Sequence, residues 1–147
     1  MTKRLYAAET TVAVEKTRGE IEQLLRKHGC DQLAYAWESG RAALTFRLDG
    51  RTVRMAVPLE PEGEPTAKQR EQFERSRWRA VLLIVKAKLE AVAAGISSVE
   101  REFLADVVTP GGRTVEQWIG QSLATALSSG RSPQLPALLL SGPEEPR

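Results

Sequence analysis

Two turn dipeptides, Ser39-Gly40 and Asp49-Gly50, break the segment from Leu33 to Val57 into three runs of alternating apolar and polar residues. Glycine after Ser or Asp is what a two-residue hairpin loop requires, because its backbone must enter the left-handed region. If both bends are two-residue hairpins, the register follows. Leu48 then faces Arg51, Phe46 faces Val53, Leu44 faces Met55, and Ala42 faces both Val57 and Trp37. Tyr35 pairs with Leu44, and Leu33 with Phe46. Leu33, Tyr35, Trp37, Ala42, Leu44, Phe46, Val53, Met55 and Val57 all fall on one side of the sheet. A slip of one residue would send that apolar set to the wrong face, so turn chemistry and alternation support each other. The segment is expected to be a three-stranded antiparallel meander with one apolar face.

The flanks read as helices, with one short strand. Val12 and Val14 alternate with Thr11, Ala13 and Glu15, the period of two expected of a strand. Thr17 followed by Glu20 makes a capping box, and Ile21, Leu24, Leu25 and His28 recur at helical spacing before Gly29. The Pro- and Glu-rich link from Pro58 to Pro65 ends the sheet, since proline lacks a ladder donor. From Ala67 to Ala94 runs a long helix without Gly or Pro, with Trp78, Leu82, Val85, Leu89 and Val92 as its stripe. Val81, Leu83 and Ile84 widen that stripe, so the middle of the helix is expected to be covered on more than one side. Ser97 with Glu100 opens a short helix through Phe103, Leu104, Val107 and Val108, which Pro110-Gly111-Gly112 breaks. Thr114 with Gln117 opens another, through Val115, Trp118, Ile119, Leu123 and Leu127, which Ser128-Ser129-Gly130 ends. The expected fold is α+β: a small antiparallel sheet in the order β-α-β-β-β, one face covered by helices, followed by three helices. Residues 1–130 form the domain, and 131–147 form an extended Pro-rich tail whose LPALLL segment is a docking candidate.

Composition narrows the function. With 41% hydrophobic and 27% charged residues the chain is globular in type, and it has no apolar run of the roughly 20 residues a membrane span needs. The single Cys30 allows no intrachain disulfide, and the expected location is the cytoplasm, here that of a host cell. One His, one Cys and three Asp cannot assemble the usual triads or zinc clusters. His28 and Cys30 read as a helix cap and a packed thiol. Gly111-Gly112-Arg113 lacks the spacing of a phosphate-binding loop. Glu100, Glu102 and Asp106 share one short helix, but Glu100 is taken as a cap partner. The chain is expected to be non-enzymatic, without metal or small-molecule cofactor.

Two surfaces stand out as candidate interfaces. On the register above, the second sheet face displays Ala34, Ala36, Glu38, Arg41, Ala43, Thr45, Arg47, Thr52, Arg54 and Ala56. Alanine is a poor strand residue and packs little across strands, so a face built from it lets another chain approach the backbone closely. Arg41, Arg47 and Arg54 then offer bidentate contacts to carboxylate or phosphate, with Ala36, Ala43, Thr45 and Thr52 as the floor. The expected partner is a protein or a second copy of the chain, as a homodimer or structural oligomer; cover by the chain's own tail is the competing arrangement. The second surface is Lys68, Arg70, Arg75, Arg77 and Arg79 at the head of the long helix, a candidate nucleic-acid contact. Much of that charge is expected to be matched, Arg75 by Glu71 and Arg77 by Glu74. Phe73 and Trp78 fall in the core stripe. The balance of 21 basic and 19 acidic residues also leaves little bulk attraction for nucleic acid.

The stretch VAVEKTRGEIEQLLRKHGCDQLAYAWESGRAALTFRLDGRTVRMAVPL, then RWRAVLLIVKAKLEAVAAGISSVEREFLADVVTPGGRTVEQWI, resembles a family of small uncharacterised proteins of phage and prophage-like gene sets. The resemblance spans residues 10–140 and includes Gly130-Arg131-Ser132-Pro133 and the leucines after it. It brings no catalytic residues to carry over. It implies an accessory protein of a mobile element that acts by binding, either to a host or defence protein or to nucleic acid in replication or recombination.

Overall fold

A computed structural model describes residues 10–136. The three strands are β1 (Gln32–Glu38), β2 (Arg41–Leu48) and β3 (Arg51–Pro58), antiparallel in the order β1-β2-β3. Every expected cross-strand pair is present, from Leu33 with Phe46 to Leu48 with Arg51. Asp49 and Gly50 both have positive φ, 51° and 72°, which gives the loop the twist that two adjoining strands need.

The helices are α1 (Val14–Lys27), α2 (Ala67–Ala93), α3 (Val99–Phe103) and α4 (Val115–Ser129), with a 3₁₀ turn at Leu104–Asp106. The fold is therefore α+β, and its order is α-β-β-β-α-α-α. The expected strand at Val12 and Val14 is absent among the described residues, because Val14 belongs to a longer stripe. Val14, Thr17, Ile21, Leu24 and Leu25 recur at helical spacing, and the helix that buries them begins at Val14. Two alternating valines cannot outweigh a stripe that packs over three turns. The expected capping box fails for the same reason. Thr17 lies inside the helix, fully buried, while Ala13 is the N-cap and Glu20 pairs with Arg79 of α2.

Burial leaves the Thr17 hydroxyl without a hydrogen-bond partner. Thr17→Val keeps the shape and removes the unpaired group, so it is expected to stabilise the protein by about 1 kcal/mol. An N-cap threonine would instead lose about 1 kcal/mol on the same change. Urea unfolding at equilibrium separates the two signs.

Helices α1 and α2 lie against the apolar face of the sheet and close one core around Ile21, Leu25, Leu44, Phe46, Val53, Val57, Trp78 and Val85. The Tyr35 hydroxyl donates to the Arg18 carbonyl of α1 at 2.9 Å, and its ring meets Trp78 edge to face at 5.5 Å. The Arg18 guanidinium sits 4.5 Å from the Trp78 ring, so three elements meet at one aromatic junction. Burial there pushes the Tyr35 hydroxyl up to about 12, Glu22 adds to the rise, and Arg18 opposes it.

α2 begins at a capping box, Thr66 with Gln69, that the composition of the preceding link had masked. Its stripe of Trp78, Val81, Leu82, Val85 and Leu89 is buried as expected, whereas Leu83 and Ile84 stay exposed. The helix is covered on one side only. Phe73 is half-buried beneath the Arg77 guanidinium at 4.5 Å, outside the core. α3 is capped by Ser98, one residue later than expected, and Glu100 pairs instead with Arg51. Phe103 of α3 is fully buried and meets Phe46 edge to face at 5.4 Å.

Val107 and Val108 leave the helix they were expected to share. Val107 bridges Val53, Val108 bridges Thr114, and the Val108 amide donates to the Thr52 carbonyl at 2.8 Å. This short extended piece runs along the outer edge of β3. Thr114 and Gln117 form the expected box, and Gly130 ends α4 in the left-handed conformation. No residue of α4 is fully buried, so this helix stands beside the core and contributes little to it. The described part of the tail turns back, and the Trp118 indole donates to the Pro136 carbonyl at 2.8 Å. In the LPALLL segment only Leu135 and Pro136 lie within the described residues. No helix among the described residues is long and apolar enough to cross a membrane.

Candidate association surface

The second sheet face forms as expected, with Ala34, Ala36, Ala43, Thr45, Arg47, Thr52, Arg54 and Ala56 sharing one side of the strands. α1 and α2 occupy the opposite side, so their packing does not cover it. Its arginines have different fates. Arg41 is tied to Glu38 by Nη2 to Oε2 at 2.6 Å, across the tight β1–β2 hairpin. Arg54 donates to the Gly112 carbonyl at 2.7 Å and to Gln117 Oε1 at 3.3 Å. It was expected to be free for a partner, but it clips the turn before α4 onto β3. Arg47 has no hydrogen bond or ion pair among the described residues and is exposed near the end of β2.

The Arg54 clip brings the start of α4 alongside the sheet and turns a flat face into a groove of about 340 Å³. Ala36, Ala43 and Ala56 form its floor, and Asp106, Glu116 and Gln117 form its far wall. Because the floor carries only methyl groups, a chain lying in the groove reaches within van der Waals distance of the strands. The walls are mixed in charge, with Arg41 and Arg54 facing Asp106 and Glu116. Burial raises the pKa of the Asp106 carboxyl, Lys88 pulls it down, and Glu116 raises it further. No sequence pattern announces the acidic wall, since Asp106 and Glu116 meet only once the 107–114 segment has folded back.

Trp37 corrects an expectation. Its parity is that of the core face, yet it is 68% exposed. Beyond Tyr35 the helical layer presents Arg70 and Glu74, the polar head of α2, so the indole is left largely in solvent. The basic cluster on that head is largely engaged. Arg70 pairs with Glu60, Arg75 donates to Gln72, Arg77 covers Phe73 and Arg79 pairs with Glu20. The expected pairs of Arg75 with Glu71 and Arg77 with Glu74 are replaced by contacts to Gln72 and Phe73 within α2, while Arg70 and Arg79 tie the helix to the link and to α1. Lys68 remains exposed.

His28 Nδ1 lies 2.9 Å from the Leu24 carbonyl at the end of α1, and Cys30 packs partly against the core. The Gly111-Gly112 pair makes a tight bend closed by the Thr109 amide on the Arg113 carbonyl at 2.7 Å. No group of three or more metal-ligating side chains occurs among the described residues. The chain matches no protein-family model, no curated protein and no solved structure.

Proposed function

We propose that this chain is an accessory association module that acts by binding another protein, not by catalysis, and that it holds an extended segment of that partner in the groove. The observation that carries this is the alanine floor, which crosses β1, β2 and β3, is left open by the described residues and is walled by the start of α4. Methyl-lined strands admit a backbone closely, while Arg41, Asp106 and Glu116 select side chains of either sign. Arg47, unpaired beyond the groove, extends the contact to an acidic residue. The resemblance to small phage and prophage-type proteins supports the same class of role, such as restraint of a host or defence protein in the host cytoplasm. Nucleic acid is less well supported, because most of the helix-head cations already have partners within the chain.

A display library of random peptides selected on the immobilised full chain tests this. Enriched peptides are expected to bind Ala43→Glu/Arg47→Glu at least about tenfold more weakly. The unfolding midpoint should change little, since neither side chain is in the core. Peptides that bind the variant as well as the wild type would place the site elsewhere. A labelled DNA duplex provides the contrast: affinity that falls steeply with salt and survives the variant would favour nucleic acid.

A further inference from the structure

We propose that two copies of this chain associate through their β1 strands, antiparallel about a two-fold axis at Tyr35, to form one six-stranded sheet. The sheet has two edges, and they are treated differently. At Thr52 and Val53 the β3 edge is covered by the chain's own Val107–Val108 piece, where the Val108 amide donates to the Thr52 carbonyl. The β1 edge has no backbone partner among the described residues. It also lacks the devices that usually blunt an edge: Gln32–Glu38 contains no Lys, Arg or Pro, and its register runs unbroken through seven pairs without a bulge.

Hairpin geometry fixes which groups face outward. Glu38 and Arg41 flank a two-residue loop and exchange both hydrogen bonds, so even-numbered residues of β1 turn their N–H and C=O toward β2. The Leu48–Arg51 pair flanks the second loop in the same way, so odd-numbered residues of β3 face β2 and the Thr52 carbonyl faces outward, where Val108 meets it. Leu33, Tyr35 and Trp37 therefore offer their backbone groups to the open edge. A two-fold axis at Tyr35 sets Tyr35 opposite its copy, and Leu33 opposite Trp37 of the second copy. All three positions become hydrogen-bonded pairs at once.

The side chains agree with this register. Leu33 and Trp37 lie on the same face, so each indole, 68% exposed in the single chain, gains a further apolar neighbour. Ala34 faces Ala36 of the second copy, and Gln32 faces Glu38, so no like charges oppose one another. Because the pairing is isologous and uses the β1 edge of both copies, it closes at two. The buried area is that of two seven-residue strands and two indoles, below the roughly 1,200 Å² of a standard interface, so the dimer is expected to be reversible. It uses a different surface from the groove and stands whether or not a peptide is captured there. It also joins the two alanine faces side by side.

Equilibrium sedimentation of the full chain tests it. The mass is expected to double between about 1 µM and about 1 mM, while Trp37→Lys stays at monomer mass with an unchanged unfolding midpoint. A second measurement fixes the register. In a Cys30→Ser background, Ala34→Cys with Ala36→Cys should form an interchain disulfide under mild oxidation, and Ala34→Cys alone should not. A wild type that remains monomeric throughout, a dimer that Trp37→Lys leaves intact, or equal cross-linking by the single cysteine would each overturn the proposal.

Discussion

Replacing Trp78 with alanine is expected to cost about 3–5 kcal/mol of folding stability, against roughly 5–15 kcal/mol available to a domain of this kind. Trp78 is fully buried and joins three elements, stacking edge to face on Tyr35 while Arg18 of α1 covers its ring. Removing it leaves a cavity where α1, β1 and α2 meet, and no neighbour is free to fill it. Thermal unfolding should shift down by about 10 °C or more. Trp37→Ala, on β1 and exposed, should move stability by no more than about 0.5 kcal/mol. Trp78→Phe should fall far closer to the wild type than alanine does, because it keeps an aromatic ring and removes an indole N–H that has no partner. Similar losses at the two tryptophans would contradict the burial pattern on which the core assignment rests.

Phe103→Ala is the second large effect, again about 3–5 kcal/mol. Phe103 belongs to a five-residue helix, a piece of chain that by its own propensity would contribute almost nothing. Its ring is nevertheless fully buried against Phe46, and the segment that follows it covers β3 at Thr52 and Val53 and carries the turn that Arg54 clips. The mutation should therefore loosen the 107–114 segment and the start of α4 as well as lower global stability. Amide hydrogen exchange at Val108 and Val115, both donors in that segment, reads the local part. A double-mutant cycle with Phe46→Ala should return a coupling of about 0.5–1.5 kcal/mol for the edge-to-face pair. A loss below about 1 kcal/mol would mean that α3 is an appendage and not part of the core.

Legibility in the sequence followed the range of the interactions. The meander was readable because each hairpin is decided by four or five adjacent residues, and because alternation over three strands must agree with both loops at once. The Thr114–Gln117 box and the Gly130 stop were readable for the same reason: a cap is a local hydrogen bond. Thr17 was misplaced because Thr-x-x-Glu is equally compatible with an N-cap and with the interior of a helix. Only the burial of Val14, Ile21 and Leu25 against α2 decides between them. Phe73 was assigned to the core because helical spacing places it near the stripe, but it lies on the polar head of α2, half-buried beneath Arg77.

The candidate surface divides in the same way. Its alanine floor and its arginines were legible once the register was known, since parity alone sorts them. Its walls were not. Asp106, Glu116 and Gln117 reach the groove only because Val107 and Val108 abandon the helix to run along β3, and Arg54 serves the fold because that same movement brings the Gly112 carbonyl within 2.7 Å.

Strand order, register and the two faces of the sheet are thus written in neighbouring residues, where turn geometry and the pleat act without help from the rest of the chain. Tertiary packing decided which edge is covered, that an inward-facing Trp37 remains in solvent, and that a flat face becomes a groove. Those outcomes depend on contacts between residues far apart in the chain, and no local pattern encodes where such partners will meet.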